Sequence, residues 1–262
     1  MLEVTVDQAA SGSGGRLLVV DFRRPDARPT LTAAILPHLA LTVCRLDPIA
    51  DLTASGGAAD PAELAAAYVE RLVAMAQRPD VVAGYCNAGT LALQVARLLA
   101  ESGRVAPCVL VDPSWPTPAT IRAEFAALRV SLGVAPADAA TQRCEPTVEA
   151  MTRQLRHDLL TMLDEDGAEP DEAEIAAAAL LPRYRAWLGF LLASSAHPPE
   201  PAADSHVICG RETAAPAAWL PDQWRPTVLD LPSADLLQPG SSAPELIARR
   251  ITALVNLRGL SS

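Results

Sequence analysis

Residues 80–99 read DVVAGYCNAGTLALQVARLL, and they decide the fold. Asp80–Tyr85 is a short apolar run that suits a buried strand. It breaks sharply at Gly84-Tyr85-Cys86-Asn87-Ala88-Gly89. A helix follows, with Leu91, Leu93, Val95, Leu98 and Leu99 in its apolar set, and it ends near Gly103. Pro107–Val111 (PCVLV) is the next strand, stopped by Asp112-Pro113. Upstream, Arg16–Phe22 (RLLVVDF) and Leu41–Leu46 (LTVCRL) read as strands, Glu3–Val6 as a shorter one and Thr32–Leu39 as a short helix. Asp60-Pro61-Ala62-Glu63 is a strong helix start, with Asp at the N-cap and Pro at the first turn, and the helix runs to about Gln77. Downstream, His206–Cys209 (HVIC) and Pro226–Leu231 (PTVLDL) resume the strand pattern before a closing helix at Pro244–Leu257.

Strands alternating with helices predict an α/β fold, a mostly parallel central sheet with helices on both faces. Residues 117–200 differ: helical stretches, an acidic loop over 163–172 and an Ala-rich helix leading to Tyr184 and Trp187. They read as a helical lid insertion between a core part at 1–116 and a second core part at 201–262. The acidic loop and the Pro-rich segment His197–Pro201 predict that the insertion acts as a gate.

Composition narrows the function. The chain has 262 residues, 50% of them apolar and 20% charged, enough for one well-buried domain. A formal charge of −10 argues against nucleic acid or an anionic membrane surface as partner. All 21 basic residues are Arg, which excludes Schiff-base lysine chemistry and a phosphate-loop lysine. The five cysteines are odd in number, lack a CxxC, and no signal peptide is expected. A disulfide framework is therefore not expected, and a reducing cytoplasm is the expected compartment. No apolar run approaches the roughly 20 residues of a membrane span. The four histidines show no metal-binding spacing, so no metal and no resident cofactor are expected.

The pattern Gly84-x-Cys86-x-Ala88-Gly89 between a strand and a helix matches a nucleophile elbow, with a thiol where GxSxG has a hydroxyl. Small residues flank such a nucleophile because strand and helix approach closely there. A thiol at a helix N-terminus is expected to be partly thiolate near neutrality. The bland alternative is a small buried cysteine. Val82–Leu99 followed by Cys108-Val-Leu-Val-Asp112 resembles the thioesterase domains of nonribosomal peptide and polyketide synthases, which have the α/β-hydrolase fold. The resemblance is specific at the elbow and weak elsewhere. It implies Cys86 as nucleophile, Asp112 as the acid after the next strand (Glu212 a weaker substitute), and an oxyanion hole from the Asn87 and Phe22 N–H groups. Arg23 also stands as a donor in place of Phe22. Arg23 and Arg24 read either as solvated charges or as contacts for the phosphate of a phosphopantetheine arm. The implied partner is an acyl or peptidyl carrier protein.

The chain departs from that family at the histidine. The family's G-x-H-x-x-x-L segment matches Leu231–Leu237, where Ser233 occupies the histidine place. His38, His197 and His206 read as capping or surface residues, and His157 as a base only if the insertion brings it over the site. A thiolate needs no base to be acylated, but water does need one to attack the acyl-enzyme. The reading is therefore a cysteine-dependent enzyme that transfers an acyl or aminoacyl group rather than hydrolysing it. A releasing thioesterase and a non-catalytic carrier-binding scaffold are the alternatives. Trp115 is the leading pocket candidate, followed by Phe125, Tyr184, Trp187 and Phe190.

Overall fold

The computed structural model describes residues 4–12, 14–23, 29–56, 60–136, 138, 145–196, 200–202, 204–214, 219 and 226–259. Arg24, Cys144 and His197 lie outside the described residues. Two compact units emerge. One comprises residues 1–48, 61–115 and 198–262; the other comprises 49–60 and 116–197. Residues 49–60 thus group with the helices, not with the first part of the core where the sequence placed them.

The first unit is a seven-stranded sheet in the order β1-β3-β2-β4-β5-β6-β7. Its strands are β1 (Asp7–Ala10), β2 (Arg16–Val20), β3 (Thr42–Leu46), β4 (Val81–Tyr85), β5 (Cys108–Val111), β6 (Ser205–Cys209) and β7 (Pro226–Val228). Every pair is parallel except β1 with β3. This is the α/β-hydrolase arrangement the sequence predicts. The edge strand is displaced, however: it is Asp7–Ala10, while residues 4–6 of the expected Glu3–Val6 strand are not in a strand and Glu3 lies outside the described residues. It is held by backbone pairing with β3 across an irregularity between Gln8 and Ala10, and its first three residues are exposed. Apolar alternation is silent about such a strand.

The parallel strands are buried on both faces because helices cover both. On one face α1 (Leu31–Ile35) and α8 (Ala243–Gly259) bring Leu31, Ile35, Ile247, Ile251 and Leu254 onto Leu17, Val19, Val81, Ala83, Val109 and Val111. On the other, α4 (Gly89–Glu101) lies over β4 and β5 and packs beside α3 (Pro61–Ala74). Leu91, Val95 and Leu99, four apart on one face of α4, are buried; Leu93 on another face is buried too, and Leu98 is half-buried.

The second unit holds α2 (Pro48–Ala54) from Ile49 onward, which the sequence reading missed, and α5 (Pro118–Ser131), α6 (Val148–Glu165) and α7 (Pro170–Ser195). α7 is long and apolar enough to cross a membrane by length and composition, though charged residues interrupt its apolar run. It carries Pro182, Arg183 and Arg185, and it packs extensively on α6. α5 and α6 are joined by a buried ion pair. Arg129 donates from Nε to Asp158 Oδ2 at 2.6 Å and from Nη2 to Oδ1 at 3.2 Å, and Gln154 adds a bond to Oδ1 at 2.9 Å. Both charged side chains are at most 5% exposed. Removing one partner strands the other charge out of water. Arg129→Met is therefore expected to destabilise the helical unit by about 3–5 kcal/mol. Denaturant unfolding monitored by circular dichroism reads this out, and an unchanged midpoint contradicts it.

Candidate active site

The turn after β4 is built by sterics. Cys86 has φ +52, a left-handed conformation that costs a non-glycine residue on the order of 1 kcal/mol. The turn also forces β4 against α4. A Cβ on Gly84 would lie 2.5 Å from Ala92 Cβ and 2.9 Å from Gly89 Cα, so only glycine fits. Gly84→Ala is expected to cost about 1–3 kcal/mol by overpacking. At about 2–4 °C per kcal/mol for a chain of this size, the thermal midpoint should fall by several degrees. A midpoint within one degree of the parent's would refute it.

Cys86, Asn87 and Ala88 form a single 3-10 turn that leads into α4, and no side chain caps that helix. Its leading N–H groups and the positive end of its dipole are therefore next to the thiol in sequence. Cys86 is half-buried, whereas Cys44, Cys108 and Cys209 are buried; among the described residues none is in a disulfide. Burial pushes the Cys108 thiol well up. It also raises Cys44, against a smaller opposing effect of Arg16. Cys209 is raised by burial first and by the Asp112 charge second, with a Thr213 hydrogen bond opposing. These three are held as thiols; Cys86 is the one at the sheet's edge.

Asp112 follows β5 directly. The β4–β5 register ends at Tyr85 opposite Val111, so Cys86 and Asp112 are each one step past a matched pair. Asp112 is itself strained, with φ +44. Its Oδ1 accepts from Thr213 Oγ1 at 2.5 Å, from Ser233 Oγ at 2.9 Å and from the Gly210 N–H at 3.3 Å. The two hydroxyls are 3.4 Å apart. Ser233 N–H points instead to Glu212 Oε2 at 3.3 Å. Glu212 is exposed and sits beside this cluster rather than in the place of Asp112. Gly210 is needed here too, since a Cβ would meet Ser233 N at 2.8 Å and Ser233 Oγ at 2.9 Å.

Thus Ser233, which the resemblance places at the family's histidine position, donates to the Asp112 carboxylate. Thr213 shares that carboxylate, and sequence reasoning missed it. The signal was present as a hydroxyl residue four positions past β6, in the loop that runs beside Asp112. Trp115, three residues beyond Asp112, is half-buried. Its ring lies 5.8 Å from that of Trp219, and its Nε1 donates to Ala214 O at 3.2 Å. It ties its loop to the loop that carries Thr213. Phe125, Trp187 and Phe190 are buried and Tyr184 is half-buried, all in the helical unit.

Of the histidines described in the sheet unit, His38 and His206 lie at the other end of the strands from Cys86. His206 opens β6 with Nε2 2.9 Å from Asp204, at the end of a parallel strand opposite to Cys86. His38 is exposed and precedes β3, so it too belongs to the opposite end. His157 is on the exposed side of α6. Among the described residues no group of three or more His, Cys, Asp or Glu is arranged to hold a metal ion. Phe22 is buried, and its place is level with Cys86 when the β2–β4 register, last paired at Val20 and Gly84, is continued by two residues. Arg23 is exposed.

Comparison with known proteins gives the fold its class. No family model matches the sequence, and no curated protein matches it. Solved structures do match along nearly the whole chain. The NocB thioesterase domain, in covalent complex with a fluorophosphonate nocardicin G analogue, has a TM-score of 0.56 at 17% identity, over 96% of this chain and 99% of that one. YbtT, a type II thioesterase from the yersiniabactin NRPS/PKS pathway, has a TM-score of 0.56 at 16% identity, over 95% of this chain and 99% of its own. A Pseudomonas aeruginosa protein assigned as an epoxide hydrolase has 0.55 at 14%, over 98% and 92%. The chain has the α/β-hydrolase fold. Thioesterases and an epoxide hydrolase match it about equally well, so the reaction must be argued from the site.

Proposed function

We propose that this protein is a thioesterase-like enzyme that takes an acyl or aminoacyl group from a carrier-protein thioester onto Cys86 and passes it to a second nucleophile. The Cys86 thiolate attacks the thioester carbonyl and forms a C–S bond. The C–S bond to the carrier's phosphopantetheine breaks, and the carrier thiol leaves as thiolate. An acceptor thiolate then attacks the acyl-Cys86 carbonyl and regenerates the Cys86 thiolate. Each half exchanges one thioester for another, so neither needs a strong base. The N–H groups of Asn87 and Phe22 are assigned to the oxyanion.

One observation carries this reading: among the described residues, the carboxylate after β5 is bonded by the hydroxyls of Ser233 and Thr213 and by no imidazole. Without general-base help, worth about 10²–10⁴-fold, water attacks the thioester intermediate slowly. The likeness to thioesterases of carrier-dependent assembly lines supports a carrier protein as partner. The test is intact-protein mass after mixing with an acylated carrier. A stable adduct on Cys86 that moves to an added thiol supports transfer. Rapid release of free acid supports hydrolysis instead, and absence of any adduct supports a binding scaffold.

A further inference from the structure

The residue just ahead of the assigned oxyanion segment is a fully buried acid. Asp21 is 0% exposed, at the end of β2. A carboxylate out of water is costly unless it is paired and hydrogen-bonded, and here two separate elements, β3 and α1, supply the donors. Its Oδ1 accepts from Arg45 Nε on β3 at 2.5 Å. Its Oδ2 accepts from the Thr32 N–H at the start of α1 at 2.7 Å. Its backbone N–H donates to Leu46 O at the end of β3 at 3.2 Å, and its carbonyl accepts from Arg45 Nη2 at 3.4 Å. Arg45 also bonds Asp47 at 2.9 Å. Burial opposes the Arg45 charge, but Asp21 and then Asp47 outweigh it and hold that guanidinium above its ordinary range.

This network fixes the residue that directly precedes Phe22 and Arg23. The Asp21 carboxylate is tied to the start of α1 by the Thr32 N–H and to the neighbouring strand by the ion pair with Arg45. We infer that Asp21 is a positioning residue: with Arg45 it holds the Phe22–Arg23 backbone level with Cys86, so that its N–H meets the oxyanion of the acylation step. This rests on the acyl-enzyme reading above. The neutral amide of Asp21→Asn cannot accept from both Arg45 and Thr32 as the carboxylate does, so the segment loses its anchor while Cys86 and α4 stay untouched.

Two reactions of the same sulfur separate this role from plain stability. Alkylation by iodoacetamide reports the thiolate and develops no oxyanion. Acylation by an N-acetylcysteamine thioester needs one. In Asp21→Asn, acylation is expected to slow about 10- to 100-fold while alkylation holds within twofold, since a misplacement of about 1 Å can cost about 10²-fold. Arg45→Lys keeps the buried charge compensated and so guards against a misfolded first variant. It is expected to show the same split, with a smaller acylation loss. If both rates fall together in both variants, or acylation is unchanged in both, the assignment is overturned. If the unsubstituted chain alkylates but never acylates, the acyl-enzyme reading fails first and this role fails with it.

Discussion

Cys86→Ala is expected to fold normally and form no acyl adduct, and Cys86→Ser is expected to acylate about 10²–10⁴-fold more slowly than the thiol. The prediction follows from what surrounds residue 86. A serine hydroxyl is protonated near neutrality and needs a base to take its proton, and among the described residues the Asp112 carboxylate bonds the hydroxyls of Thr213 and Ser233 rather than an imidazole. On the proposed reading a thiol at the same turn, ahead of the uncapped N-terminus of α4, does not depend on such a base. The size of the loss reports how far the acylation step depends on the thiolate. Time courses of adduct mass with one thioester donor measure it. The competing cysteines do not confuse the assay, because Cys44, Cys108 and Cys209 are buried. Peptide mapping of the adduct covers Cys144. A Cys86→Ser variant within fivefold of the parent, or an adduct that persists in Cys86→Ala, removes Cys86 from the centre of the chemistry.

How far these features can be read from sequence depends on what each one needs. The parallel strands are legible because burial on both faces demands unbroken apolar runs, as in Leu17–Val20 and Val81–Ala83, all fully buried. The elbow is legible because close packing allows only small residues at Gly84, Ala88 and Gly89. β1 is not legible, because an edge strand needs backbone partners rather than a burial pattern. α2 was missed because seven residues starting at Pro48 leave too few turns for periodicity to register. The meeting of Asp112 and Ser233 was legible because Asp112 directly follows one strand and Ser233 lies at a short offset past another. Thr213 was hidden, since its role depends on two loops meeting at Gly210, over a separation of 101 residues from Asp112. Asp21 and Arg45 left one trace, a charge inside the apolar run LTVCRL. An arginine in a buried strand needs a buried partner, but sequence alone does not say which.

Ser233→His is expected to turn a long-lived acyl-Cys86 into one that water clears about 10²–10⁴-fold faster. Ser233 Oγ already reaches Asp112 Oδ1 at 2.9 Å, so an imidazole at that position starts beside the group that would orient it. Space is available on one side only. Gly210 presses on the Ser233 backbone and hydroxyl, but Ser233 is the first residue of a 3-10 turn and is half-exposed, so the ring extends away from Gly210. The pH dependence gives the sharper sign. The base is the neutral imidazole, which is idle below its pKa and active above it. The ordinary value is about 6.5, and a carboxylate beside the ring moves it upward. Hydrolysis in the variant should therefore rise with pH through a single inflection at or above about 6.5. The parent should show no inflection in that range, and neither should Ser233→Ala, which removes the hydroxyl without supplying a base. The measurement is decay of a pre-formed adduct after the donor is removed, followed at several pH values. If Ser233→His folds and acylates yet its adduct decays at the parent's rate with the parent's pH profile, then the missing base is not what protects the intermediate from water. In that case the preference for transfer has to come from exclusion of water rather than from the residue at position 233.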